Sequence, residues 1–182
     1  MPRKSVLDHL ARLYAHGDDP WSHRTSPYEA AKYAATLEAI GPGPFDSALE
    51  IGCGNGTLSR LLAPRCRRLT AMDATPAAVD AARRHLADLS HVAVIRAVAP
   101  HDLPDGPFDL VLLSEVLYFL TPDDISLLGR WLQGHSAGRI LSVNWTGPTD
   151  EELDGPRAVT LLADAIGTPV AADHGDYRID VF

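Results

Sequence analysis

The chain has 182 residues, of which 46% are hydrophobic and 22% charged, a balance that supplies a packed core and excludes global disorder. A formal net charge of −8 argues against a nucleic-acid backbone as the main partner and suits a small neutral or basic molecule better. No apolar run is long enough to span a bilayer, and two cysteines, Cys53 and Cys66, are too few for a disulfide scaffold or a metal site.

In chain order, Met1-Pro2-Arg3-Lys4-Ser5 carries basic residues with no apolar block behind them, so no secretory signal is expected and a cytoplasmic location is the default. Val6, Leu7, Leu10 and Leu13 have helical spacing, interrupted at Gly17-Asp18-Asp19-Pro20-Trp21. Ser26-Pro27-Tyr28-Glu29 reads as a capping box with proline at the first helical position, and Gly41-Pro42-Gly43-Pro44 ends the helix it opens. From Ser47 onward strands and helices alternate. Strands are expected near residues 48–51, 69–72, 92–95, 108–113 and 139–143, and the continuous apolar run Phe108–Leu113 predicts a strand covered on both faces. The helices between them show Leu58, Leu61 and Leu62 on one inner face, Val79, Ala82 and Leu86 on the next, and a start at Thr121-Pro122-Asp123-Asp124 on the third. Thr75 is read as the cap of the second of these. Val159, Leu162 and Ile166 mark a last helix ending at Gly167, and residues 169–172 and 177–182 suggest a closing hairpin. The alternation predicts a mostly parallel sheet wrapped on both sides within one domain spanning 1–182, with a helical N-terminal cap over 1–45 and a sheet core over 46–182.

The chemistry concentrates at Ala48-Leu49-Glu50-Ile51-Gly52-Cys53-Gly54-Asn55-Gly56, a short strand, an acid and three alternate glycines leading into a helix. Glycine lets backbone approach a ligand closely, and open α/β sheets bind ligands at this edge. Asp73, closing the second strand, is placed to accept ribose hydroxyls, or to cap the turn that follows. The dinucleotide fingerprint is G-x-G-x-x-G, which this loop does not follow. An acid two positions before the first glycine suits a cationic ligand rather than a pyrophosphate, directly or by ordering the loop. S-adenosyl-L-methionine, with a sulfonium, an ammonium and no phosphate, has that character.

The runs LEIGCGNGTLSRLL, LTAMD and FDLVLLSEVLYFL resemble class I S-adenosylmethionine-dependent methyltransferases. Asp19-Pro20-Trp21, SPYEAAKYAATLEAI, SEVLYFL, NWTGPTD and YRIDVF narrow the resemblance to the rhizobial nodulation protein S family, members of which N-methylate the amino sugar of a deacetylated chitooligosaccharide. The resemblance implies a Rossmann-like α/β sandwich whose seven-stranded sheet has its last strand antiparallel. It implies S-adenosyl-L-methionine as cofactor and S-adenosyl-L-homocysteine as product. Gly52, Gly54 and the loop backbone would hold the methionine part and Asp73 the ribose hydroxyls, while Met72 and Ala74 border the adenine; Glu50, Asn55, Gly56 and Ser114 count among the cofactor-binding residues. Many relatives carry an acid just after the third strand; Val98 stands there, with Asp102 as a substitute acceptor.

Ser114 and Glu115 follow the fourth strand, facing the expected methyl group. Glu115 is the candidate that holds or deprotonates a substrate amine, the alternative being a first-turn helix acid. Tyr118 and Trp145 are expected to line the acceptor pocket. Trp21, Tyr28 and Lys32 form either a lid gripping the methionine carboxylate or an ordinary surface face. His23 and His174 lie in segments that could face the pocket, no metal spacing is visible, and Cys53 reads as a small filler. Three activities stay open: N-methylation of a small-molecule amine such as an amino sugar, O-methylation of a small hydroxyl compound, and a catalytically silent cofactor-binding module. No nucleic acid or membrane partner is expected.

Overall fold

Seven strands form one sheet in the order β3-β2-β1-β4-β5-β7-β6. β1 (Ala48–Ile51), β2 (Leu69–Asp73), β3 (Val92–Arg96), β4 (Phe108–Ser114) and β5 (Ser136–Trp145) pair in parallel. β7 (Tyr177–Val181) runs antiparallel both to β5 and to the edge strand β6 (Val170–Asp173). This computed structural model, which describes residues 4–15 and 17–182, therefore has the Rossmann-like sheet with its last strand reversed. The basic start Met1-Pro2-Arg3 lies outside the described residues. Among those described, no helix is long and apolar enough to cross a membrane.

Among the described residues, six α-helices surround the sheet: α1 (Lys4–Tyr14), α2 (Pro27–Ile40), α3 (Thr57–Leu62), α4 (Pro76–His85), α5 (Pro122–His135) and α6 (Gly155–Ile166). Successive residues of a strand point to opposite faces, and the central strands use both. Leu49, Ile51, Val111 and Leu113 pack against Ile125 and Leu128 of α5 and Val159 and Leu162 of α6. Ala48, Leu110 and Leu112 pack against Tyr33 and Ile40 of α2 and Leu58 and Leu62 of α3. Each such buried Leu, Ile or Val contributes about 1.5–3 kcal/mol. That burial holds the carboxyl ends of β1, β2 and β4 side by side, which is where the loops with the candidate residues begin.

Local chemistry sets the helix ends. Ser26 Oγ accepts from the Glu29 N–H at 3.4 Å, and Gly41 at φ +87° ends α2. Thr121 caps α5 through the Asp124 N–H at 3.1 Å, and Asp154 caps α6 through the Arg157 N–H at 2.8 Å. Four details differ from the sequence expectation. Leu61 is 46% exposed, because α3 has only six residues and the i, i+4 pair Leu58 and Leu62 takes the inner face. Thr75 makes no side-chain cap; its N–H is bonded to Asp73 Oδ1 at 2.8 Å instead. α6 begins at Gly155, earlier than its apolar stripe, because Asp154 and Pro156 start it. β5 begins at Ser136, straight out of α5, through a stretch without apolar pattern. Gly138 there passes so close to the Asp109 carbonyl that a Cβ would come within 2.2 Å of its oxygen.

Candidate active site

A cavity of about 630 Å³ opens at the carboxyl edge of the sheet. Its floor is the loop after β1. Gly52 lies at φ +85° against the end of β4, where a Cβ would come within 2.2 Å of Val116 Cγ1 and 2.5 Å of the Ser114 carbonyl oxygen. Gly54, at φ +54°, is different: a Cβ there would reach no atom closer than the Tyr14 hydroxyl at 3.5 Å. Gly52 thus serves close packing, while Gly54 leaves bare backbone beneath the cavity.

Two acids frame this loop. Asp73, at the end of β2, accepts from the Gly54 N–H through Oδ2 at 3.1 Å and from the Thr75 N–H through Oδ1 at 2.8 Å. Burial raises its pKa, and those backbone bonds pull it the other way. Glu50 is 1% exposed and accepts from Ser59 Oγ of α3 at 2.5 Å. Burial pushes its pKa up to about 7, with the Ser59 bond opposing and the Asp73 charge adding to the rise. Beside them Asn55 Oδ1 accepts from Thr57 Oγ1 at 2.7 Å and from its N–H at 3.2 Å, which opens α3.

The opposite wall comes from α1, α2 and the loop between them. Leu7, Leu10, Leu13 and Tyr14 of α1 face the cavity, and burial, then the nearby Asp73, raises the pKa of Tyr14. Asp19 accepts from the backbone N–H groups of His23 at 2.7 Å and Arg24 at 3.1 Å, a turn that presents Trp21 and His23. The Tyr14 and Trp21 rings meet edge to face at 5.6 Å. His23 Nδ1 lies 2.8 Å from the Tyr33 hydroxyl and 3.2 Å from Glu29 Oε2. Burial opposes ionisation of Glu29, yet His23 and Lys32 bring its pKa down to about 2.

Glu115 stands where β4 ends, at φ +55°. Lys32 Nζ donates to its Oε1 at 2.9 Å, while the Tyr118 hydroxyl at 3.0 Å and the Trp145 N–H at 2.7 Å donate to Oε2. Lys32 is 6% exposed and also lies 3.0 Å from Glu29 Oε1. Burial alone would lower the ammonium's pKa; Glu115, then Glu29, raise it above the usual value.

The fold brings most of the candidate residues to one cavity. Glu50, Gly52, Gly54, Asn55, Asp73 and Ala74 line its floor, and Val98 lines it from the turn after β3. Ser114, Glu115, Tyr118 and Trp145 close one end, with Trp21, Tyr28 and Lys32 above. Gly56 does not line it; at φ +82° it packs on α4, where a Cβ would sit 3.2 Å from Ala82. Asp102 folds back onto the Val98 N–H at 3.3 Å, and His174 stacks on Tyr177 at 4.7 Å, neither facing the cavity. Cys53 is buried among Ala71, Ala82 and Leu86. Sequence reasoning missed Tyr14, Glu29 and Tyr33. Glu29 had a signal, since it sits one turn from Lys32, but the capping pattern offered another use for it. Its carboxylate turns to Lys32 and His23 rather than back to Ser26.

A profile of the family described as nodulation protein S (NodS) matches residues 4–129. Nodulation protein S of Rhizobium tropici is 36% identical over 104 residues, covering 57% of this chain and 44% of that protein. Nodulation protein S of Bradyrhizobium diazoefficiens is 33% identical over 147 residues, covering 66% of this chain and 69% of that protein. The chain spans about half the length of the curated relatives it matches. The crystal structure of the N-methyltransferase NodS from Bradyrhizobium japonicum WM9, in complex with S-adenosyl-L-homocysteine, shares the fold with a TM-score of 0.83 at 23% identity, covering 97% of each chain.

Proposed function

The chain belongs to the nodulation protein S family, and on that premise we propose that it is an S-adenosyl-L-methionine-dependent methyltransferase acting in the cytoplasm on a small-molecule amine, an amino sugar first among them. The observation that carries the reading is the charge of the cavity wall. Glu29, Glu50, Asp73, Glu115, Asp150 and Glu151 face the cavity, and Lys32 is the only lysine or arginine among the described residues lining it. A pyrophosphate would meet repulsion there, whereas a ligand bearing a sulfonium and an ammonium meets complementary charge. The residues present fit S-adenosyl-L-methionine: bare Gly54 backbone for the methionine part, Asp73 for the ribose, and apolar Ala74 and Val98 beside the adenine. Asp73, tied to the loops through Gly54 and Thr75, also lines the cavity, where its carboxylate is the acceptor offered to the ribose hydroxyls.

When bound, S-adenosyl-L-methionine supplies a methyl group already activated for displacement. The protein's own task is then to hold the nucleophile in line and exclude water, a matter of proximity and orientation. An amine attacks only when neutral. Glu115, one lone pair of whose Oε1 is not used by Lys32, Tyr118 or Trp145, takes or orders the amine proton. A hydroxyl acceptor would want a stronger base; of the two imidazoles in this wall, His9 and His23, the second is hydrogen-bonded to Tyr33 and Glu29. The cap of residues 1–45 and the core of residues 46–182 act here as one domain.

The test is incubation of the pure chain with S-adenosyl-L-methionine and, in separate reactions, glucosamine, a deacetylated chitin tetramer and catechol, read by mass spectrometry. One added methyl on the amines supports the proposal. Methylation of catechol alone contradicts the amine assignment, and no transfer to any acceptor contradicts the enzyme.

A further inference from the structure

Lys32 is held by two carboxylates from different parts of the chain, Glu29 Oε1 at 3.0 Å, one turn earlier on α2, and Glu115 Oε1 at 2.9 Å, beyond β4. The Tyr28 ring lies 5.4 Å from the ammonium on a further side. The other oxygen of Glu115 is gripped by Tyr118 and by the backbone of Trp145. A carboxylate held at one oxygen can still swing, whereas one held at both is fixed in plane and direction. Glu115 also sits at φ +55°, a conformation that costs a non-glycine residue energy and persists only where surrounding contacts impose it. Among the described residues, Lys32 supplies the hydrogen bond on Oε1, the oxygen with a lone pair to spare.

An ammonium has three donors, and two are committed here. With His23 neutral beside Glu29, the Glu29–Lys32–Glu115 group carries a net charge of −1, so a further carboxylate brought against it is repelled rather than bound. Resting on the methyltransferase reading above, we propose that Lys32 is a positioning residue: it aims Glu115 at the acceptor amine and does not bind the carboxylate of the cofactor's methionine.

The test compares Lys32→Met, Lys32→Arg, Glu115→Gln and the double variant Lys32→Met/Glu115→Gln with wild type. Calorimetry with S-adenosyl-L-homocysteine needs no acceptor. Lys32→Met should keep its Kd within threefold, and a loss of tenfold or more overturns the inference. With the deacetylated chitin tetramer at saturating S-adenosyl-L-methionine, Lys32→Met should lower kcat at least thirtyfold while KM changes less than threefold. Lys32→Arg, which restores a donor to Oε1 and keeps the fold's charge pattern, should recover at least a tenth of the wild-type kcat. Adding Lys32→Met to Glu115→Gln should cost less than twofold more. Equal losses in kcat from Lys32→Met and Lys32→Arg, or additive losses in the double variant, overturn the positioning role. A wild-type chain that binds S-adenosyl-L-homocysteine but methylates no amine overturns the proposed function, whereas an active wild type with a cofactor-weakened Lys32→Met overturns this inference alone.

Discussion

The Gly54 N–H donates to Asp73 Oδ2 across 3.1 Å, joining residues nineteen apart in the chain into one piece of cavity wall. Asp73→Ala removes that bond and the one to Thr75, each worth about 1.5–3 kcal/mol because the acceptor is charged. The loop then loses its tie to β2 as well as the proposed ribose acceptor. Calorimetry should show S-adenosyl-L-homocysteine binding at least a hundredfold weaker. Asp73→Asn, which keeps one acceptor oxygen, should fall between the two, at about tenfold or more.

Gly52 and Gly54 should separate stability from binding. Both have positive φ, so alanine carries a backbone cost of about 1–2 kcal/mol at either position. Gly52→Ala adds a clash with Val116 and the Ser114 carbonyl, and its melting temperature should drop by well over 10 °C. Gly54→Ala meets only ordinary contacts, so it should fold with a loss of a few degrees. Its new methyl group stands in the cavity, and cofactor affinity should fall at least tenfold. Thermal melts with paired calorimetry check both.

How far the sequence foretold this site follows from the reach of its patterns. β1 and β4 were legible as strands and Ser26-Pro27 as a helix start, because each signal lies within a few residues; Glu50, Gly52, Gly54 and Asp73, singled out by their motif, line one cavity, whereas Gly56 packs on α4. Leu61 was placed inward because a helix as short as α3 has too few turns for periodicity to separate its faces. Tyr14 and the α1 leucines repeat as any core stripe does, and nothing in that spacing distinguishes a core wall from a cavity wall. Lys32 and Glu115 are 83 residues apart, and only the parallel sheet, by carrying the end of β4 beneath α2, makes them a pair.

Glu50 gives the fold a pH dependence. Its pKa in the folded chain, about 7, lies above the 4.5 of an ordinary glutamate, so the fold favours the protonated form. This contribution is complete below pH 4.5 and is lost as pH rises toward 7, an order of about 3 kcal/mol. Glu50→Gln stays neutral throughout. It should match wild-type stability at pH 4.5 and exceed it at pH 8, as read by denaturant unfolding. Binding of an ammonium-bearing ligand favours the ionised carboxylate, so wild-type affinity for S-adenosyl-L-homocysteine should rise from pH 6 to pH 8. In Glu50→Gln that rise should disappear.

Val98 lines the cavity from the turn after β3, beside the proposed place of the adenine. Val98→Asp adds an acceptor there. One hydrogen bond to a charged group contributes about 1.5 kcal/mol or more, so S-adenosyl-L-homocysteine should bind about tenfold tighter. Sinefungin, which keeps the same adenine, should gain equally in the same titration.

The central claim is that the acid-lined cavity holds an ammonium-bearing, phosphate-free nucleoside. Isothermal titration of the wild-type chain with S-adenosyl-L-homocysteine and, separately, with NAD tests it most directly. One-to-one binding of the first at micromolar concentration with no heat from millimolar NAD is the predicted result. Binding of NAD, or no binding of S-adenosyl-L-homocysteine at millimolar concentration, would contradict it.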